Sequence, residues 1–238
     1  MLKRSTRLIT IVLAAIILVI TTMTVLFYYP NYKATKINEI KVRITPTTTP
    51  RDTVVATPLP PSSSPVPRHV SDSKALTLYD KGLKLYYQKD QKGFPEALTL
   101  FDQALAIDAQ CYEALNAKGA TLAFQGHYDE GLALIQQALV INPSFVYGYF
   151  NRGLANELAR RWDAAISSYQ KALQLDKSDT WSYYGIASIY GRLGKIDKVL
   201  EYLKPAIALD PEVKAVAREE KDFAPVRQDP RFQTLVKP

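Results

Sequence analysis

From residue 75 onward, apolar and small residues recur at helical spacing and then recur again one unit later. Leu115 and Leu122 mark one helix, and Leu132, Ile135 and Leu139 mark the next. The strings FDQALAID (101–108), IQQALVIN (135–142), YQKALQLD (169–176) and LKPAIALD (203–210) each begin 34 residues after the one before. Ala104, Ala138, Ala172 and Ala206 coincide in that register, as do Ile107, Ile141, Leu175 and Leu209. Small residues recur at Gly82, Gly119, Gly153 and Ala187, and again at Ala97, Gly131 and Ala165, with Val199 in the fourth place. A fixed period of this length is the signature of a repeat array. Each unit reads as two helices separated by a turn, with Gly126 and Asp129 in one turn and Gly194 and Asp197 in another. The small residues are expected where the two helices of a hairpin cross, because they let the backbones approach. Asn142-Pro143 and Asp210-Pro211 stop second helices, since proline disfavours helical dihedrals in the residue before it. Ser144 and Asp179 are expected to cap the helices that follow.

This pattern closely resembles the tetratricopeptide repeat, a 34-residue helix-turn-helix. Tyr149, Gly153, Ala165, Tyr169 and Ala172 carry it in the third unit, and Tyr183, Tyr190, Ala206 and Pro211 in the fourth. Repeats fall at 75–111, 112–145, 146–179 and 180–213. The resemblance implies an all-α, right-handed superhelical solenoid of about four repeats. It departs from the pattern at four places. QKDQKGFPE lengthens the first turn by about three residues, and Asn156 stands where an aromatic or leucine is usual. Val199 should open the fourth hairpin slightly, and Pro205 should kink the last second-helix by removing its bond to the carbonyl of Glu201. Residues 214–238 carry Val216, Ala217, Phe223, Val226, Phe232 and Leu235 and read as a cap for the last unit, with a short final helix starting at Asp229-Pro230.

Upstream the pattern changes. Residues 1–7 are a basic tail, and Leu8 to Tyr29 then runs 22 positions without a charge. As a helix that run spans about 33 Å, enough to cross a hydrocarbon core of about 30 Å. It is longer than the apolar region of a cleavable signal and ends in Phe27-Tyr28-Tyr29-Pro30, so an uncleaved transmembrane anchor is the expectation. Lys3, Arg4 and Arg7 favour a cytoplasmic N-terminus, and Lys33, Lys36, Lys41 and Arg43 oppose it. A basic head before one long apolar run favours a cell-membrane, single-pass protein with an extracytoplasmic repeat domain. Residues 30–72 form a linker, disordered and rich in Pro, Thr and Ser from 44 on, and expected to be extended. It reads as a spacer, with a docking strip for a proline-recognising module as the alternative, and His69 within it is expected to be solvated.

Composition narrows the function. The chain is 47% apolar and 22% charged, ordinary for a protein that buries a core. Its net charge of +7 lies wholly in residues 1–71, where nine basic side chains face two acidic ones; residues 72–238 balance 21 against 21. A neutral repeat domain lacks the footprint that phosphate binding needs, so nucleic acid is not an expected partner. One cysteine and two histidines leave no basis for a disulfide or a zinc cluster. No phosphate loop, HExxH or G-x-S-x-G is present. The expectation is a non-enzyme, with no catalytic, metal-binding or cofactor-binding residue.

The resemblance places the working surface on the concave wall made by the first helix of each pair. Carried over, the candidate partner-binding residues are Tyr79, Tyr86, Tyr87, Asn116, Phe124, Tyr147, Phe150, Asn151, Trp181, Tyr184 and Arg192. Aromatics give large contact area at little entropic cost, which suits a protein or peptide ligand. Some members of the family clamp a peptide's terminal carboxylate with Lys, Asn and Arg. Here only Asn151 fits, since Asn116, Ala120, Trp181 and Gly185 hold the other clamp positions, so that ligand is not expected. The expected role is a membrane-tethered adaptor, held in the lipid bilayer by residues 8–29. The alternative is a permanent structural subunit of a membrane-associated complex.

Overall fold

The computed structural model describes residues 69–88 and 90–237. The anchor expected at 8–29 and most of the linker expected at 30–72 lie outside these. Among the described residues no helix is long and apolar enough to cross a membrane.

The described elements are helices and turns. α1 spans Ser73–Gln88 and is followed by a 3-10 turn at Asp90–Gly93, which takes up the extra residues of the first unit. Then come α2 (Phe94–Ile107), α3 (Tyr112–Phe124), α4 (Tyr128–Ile141), α5 (Val146–Leu158), α6 (Trp162–Leu175), α7 (Thr180–Arg192) and α8 (Ile196–Leu209). α9 (Val213–Glu219), a 3-10 turn (Lys221–Val226) and α10 (Pro230–Leu235) complete the chain. α8 continues as a helix through Pro205, and Val199 is fully buried in it.

The chain divides into two units. In the first, Leu83–Ala97 forms a small aromatic cluster: Tyr86 stacks on Phe94 at 5.1 Å between ring centroids and meets Tyr87 edge-on at 5.2 Å. In the second, α3–α4, α5–α6 and α7–α8 are hairpins, and each hairpin packs on the next through α4–α5 and α6–α7. The first helices also meet directly, α3 with α5 and α5 with α7. A Cβ added to Gly119 would sit 2.5 Å from the carbonyl oxygen of Gly131, so α3 and α4 cross backbone against backbone. Further along, the ring of Tyr169 on α6 is fully buried against Gly153 of α5 and Gly185 of α7. This one side chain ties two successive hairpins together.

The turns inside the hairpins need left-handed backbone at the same phase of each unit. Gly126 has φ 92° and Gly194 φ 66°, while Arg160 holds φ 59° in the third. That conformation costs an L-residue about 1–2 kcal/mol. Asp179 caps α7 as expected, accepting from the amides of Trp181 and Ser182. Ser144 does not cap α5. Its amide and hydroxyl both turn back to Oδ1 of Asn142, and the helix starts one residue later with Phe145 at the cap.

Candidate binding surface

α3, α5 and α7 carry eight of the residues singled out above, and α1 carries Tyr79, Tyr86 and Tyr87. Phe124, Tyr147 and Arg192 are half-buried on these helices, as is Tyr79 on α1; Tyr87, in the first unit, is also half-buried. Asn116, Phe150, Asn151, Trp181 and Tyr184 are buried, as is Tyr86 in the first unit. Most of the candidates are therefore buried, and fewer than half keep much open surface. Tyr147 stacks nearly parallel on Phe150 at 6.0 Å, and Trp181 meets Tyr184 edge-on at 5.6 Å. Asn116 is 1% exposed, and neither oxygen nor nitrogen of its amide has a hydrogen-bond partner. An arrangement of that kind costs about 1–3 kcal/mol.

Sequence reasoning missed a buried ionic network at the end of this row. Arg192 on α7 lies between Glu157 of α5 and Asp222 of the second 3-10 turn. Its Nη2 is 3.0 Å from Glu157 Oε1 and 2.7 Å from Asp222 Oδ2. Its guanidinium also stands over the Trp162 ring, 5.2 Å from the centroid. The hydroxyl of Tyr169 donates to Glu157 Oε2 at 2.8 Å, and that of Ser188 to Asp222 Oδ2 at 2.5 Å. The carboxylates are 7% and 10% exposed. Burial, and then the charge of Glu157, push the Tyr169 phenol well above its ordinary range, so it stays a donor. The network spans α5, α6, α7 and the C-terminal segment. Its one sequence trace is spacing: Asp222 follows Ser188 by 34 positions, one further unit of the repeat.

The C-terminal segment packs as a cap. Phe223 is fully buried and presses on Gly191, where an added Cβ would lie 2.7 Å from Cδ1 of the ring. Phe223 in turn meets Tyr184 and Phe232. Arg231 on α10 reaches Asp197 of α8 at 2.8 Å.

At the other end, His69 is not solvated as expected. Its Nε2 lies 2.9 Å from Asp108 Oδ2, and the same oxygen accepts the amide of Asp72 at 3.0 Å. The pairing links positions 39 apart, brought together by the first repeat. Desolvation pulls the Asp108 carboxyl upward, but bonds from the Asp72 amide, His69 and the Gln110 amide outweigh it and hold the group below its ordinary value. A lowered folded value means the contact stabilises fully above the unfolded carboxylate pKa of about 4 and is lost as pH falls through the folded value. The protection factor of the Asp72 amide should therefore fall in acid, below about pH 4. In Asp108→Ala that protection should be lost at all pH values.

Cys111 is fully buried beside Ala75, Ala104 and Ala114, and burial pushes its thiol up to about 11. Among the described residues no three His, Cys, Asp and Glu side chains gather as a metal set.

Two family models match the chain. One, a TPR repeat, covers residues 161–194, and the other, a tetratricopeptide repeat, covers 182–213. No curated protein matches. Among solved structures, a thermophilic TPR protein of Thermus thermophilus is 22% identical with a TM-score of 0.56, over 68% of this chain and 86% of that one. A MamA protein is 20% identical with a TM-score of 0.51, over 68% and 85% respectively. Identities this low carry the fold alone. With the hairpins, their crossing glycines and the two model matches taken together, residues 161–213 are tetratricopeptide repeats, and the described helical domain has the tetratricopeptide-repeat fold.

Proposed function

We propose that the chain is a membrane-tethered adaptor, with residues 8–29 in the bilayer of the cell membrane, the repeat domain on the extracytoplasmic side, and a protein or peptide partner bound along the first helices of the repeats. Proteins with this repeat generally mediate protein–protein interaction. The observation that carries the reading here is that Tyr79, Phe124, Tyr147 and Arg192 each stay half-buried on consecutive first helices. Partly exposed aromatics and arginine are the side chains that supply most binding energy at protein interfaces. The uncharged run Leu8–Tyr29 supports the tether.

A partner captured from membranes by residues 69–238 should be lost from Phe124→Ala/Tyr147→Ala. A drop in affinity of tenfold or more is expected, about 1.4 kcal/mol or more, with helical content retained. Unchanged capture by a folded double variant would refute the assignment of the surface. Trp181→Ala is a poorer probe, since Trp181 is 9% exposed and its loss would report on the fold.

A second reading is a permanent structural subunit. It is favoured by the exposed ends of three second helices, where Ile107, Leu175 and Leu209 stand 49%, 39% and 44% exposed at the same point of the first, third and fourth units. An isolated domain that self-associates until a partner subunit is supplied, and that recovers with Ile107→Ser and Leu209→Ser, would favour it over the adaptor.

A further inference from the structure

Residues 69–72 run into α1 with no regular secondary structure of their own, and polar contacts hold them. His69 Nε2 and the Asp72 amide both meet Asp108 Oδ2, and the hydroxyl of Ser71 donates to Glu113 Oε2 at 2.6 Å in the first turn of α3. Val70 is 86% exposed, so the segment buries little apolar surface. Asp72 passes the hold on to α1, because its Oδ1 accepts the amides of Lys74 at 2.7 Å and Ala75 at 3.3 Å. The side chains beneath are small: Ala75, Ala104, Cys111 and Ala114 pack together, fully buried. Cys111 Sγ lies 3.6 Å from the same Glu113 oxygen that holds Ser71. From Leu76 on, larger side chains (Leu76, Leu78, Tyr79) hold α1 against this cluster.

We propose that residues 69–75 are a latch, which detaches from Asp108 and Glu113 as one piece while the repeats behind it stay folded. The bonds act in series: Asp108 holds the Asp72 amide, and Asp72 holds the amides of Lys74 and Ala75, so release at Asp108 loosens the whole segment. Its hold is weak. A hydrogen bond that replaces one to water is worth only about a factor of five in an equilibrium. Side chains the size of alanine also give up little apolar area when uncovered. The first unit of a solenoid has a neighbour on one side only, which puts its free end among the parts that open most readily. The hinge falls between Ala75 and Leu76, where the larger side chains begin. With the latch closed, the chain meets the domain at the start of α3. With it open, residues 69–75 add up to about 24 Å of extended chain ahead of α1. The latch therefore sets how far the domain can stand from any point that holds the chain upstream.

Cys111 is the one cysteine of the chain and packs against Ala75, so it reports opening with no partner present, and the outcome is independent of the adaptor reading. In the 238-residue chain, alkylation of Cys111 by iodoacetamide is followed by mass spectrometry, and its rate is divided by that of the urea-unfolded chain. Wild type should react slowly, at a rate almost flat through low urea, because an opening latch exposes little surface. Ser71→Ala removes one hydrogen bond and leaves the α2–α3 turn intact; it should raise the rate about fivefold. Asp108→Ala removes the contacts to His69 and to the Asp72 amide and should raise it about tenfold or more. Equal rates in wild type and both variants, with circular dichroism unchanged, would overturn the proposal. A rate that climbs steeply from the lowest urea concentrations would overturn it as well, by placing exposure of the thiol in unfolding of the first repeat.

Discussion

Arg192→Met is expected to destabilise the domain by about 2–4 kcal/mol at pH 7, and to do so less as the pH is lowered. Removing one partner of a buried ion pair costs about 3–5 kcal/mol because a charge is left without compensation. The guanidinium is 28% exposed, which trims that figure, but the two carboxylates it serves are 7% and 10% exposed. Methionine keeps an unbranched apolar stem but not the guanidinium that stands over Trp162, so the loss is one of charge, hydrogen bonds and that ring contact. The sign of the pH effect follows from burial. Without Arg192, a buried carboxylate is left uncompensated, which is costly while it is ionised and less so once it is protonated. The penalty is then present at pH 7 and fades as the pH falls toward the unfolded carboxylate range of about 4. Thermal unfolding of wild type and variant at pH 7 and pH 5 measures this directly. A gap that stays constant or widens in acid would show that the network contributes by packing alone. Glu157→Gln in the Arg192→Met background should recover part of the loss, since a neutral amide can still accept from Tyr169 without carrying a charge.

Gly131→Ala is expected to cost about 2–3 kcal/mol. An alanine in a helix interior is ordinarily worth about 1 kcal/mol over glycine, so propensity alone predicts a gain. Packing decides otherwise. The added Cβ would collide with the carbonyl oxygen of Gly119, and it would lie 3.0 Å from the amide nitrogen of Ala123. Both are backbone atoms, which cannot swing away, so α3 and α4 must separate. Overpacking of this kind costs about 1–3 kcal/mol and occasionally more. Gly119→Ala meets the reciprocal contact, and once either substitution has spread the hairpin the second should cost less than the first. Chemical denaturation of the two single variants and the double variant checks both the magnitude and the non-additivity.

These two positions also separate what is legible in a sequence from what is not. Gly119, Gly153 and Ala187 announce themselves because a helix crossing makes the same steric demand every 34 residues. The hairpins, their turns at Gly126 and Gly194, and the cap beginning after the fourth unit could be read in the same way. In the sequence Arg192 reads only as one residue of a groove wall. Its partners stand 35 and 30 positions away, and no local pattern joins them; the stacking of hairpins creates the contact. His69 shows the same limit. In a run of Pro, Thr and Ser it looks like a solvated side chain, until the first repeat folds Asp108 against it. Ser144 fails as a cap for a shorter-range reason, because Asn142, two residues earlier, accepts both of its donors. The candidate surface was legible as a set of helices. Its exposure was not, because burial of Phe150, Trp181 and Tyr184 depends on how closely neighbouring hairpins approach.

Asp222 follows Ser188 by one repeat length and bonds to it across the face of α7, with Phe223 pressed on Gly191. The tail therefore sits in the register where a fifth hairpin would begin. A second molecule could not add its own first hairpin at that place without evicting Phe223 and Phe232 from full burial. Stacking of another hairpin on this face of α7 would therefore come at the expense of the chain's own packing there.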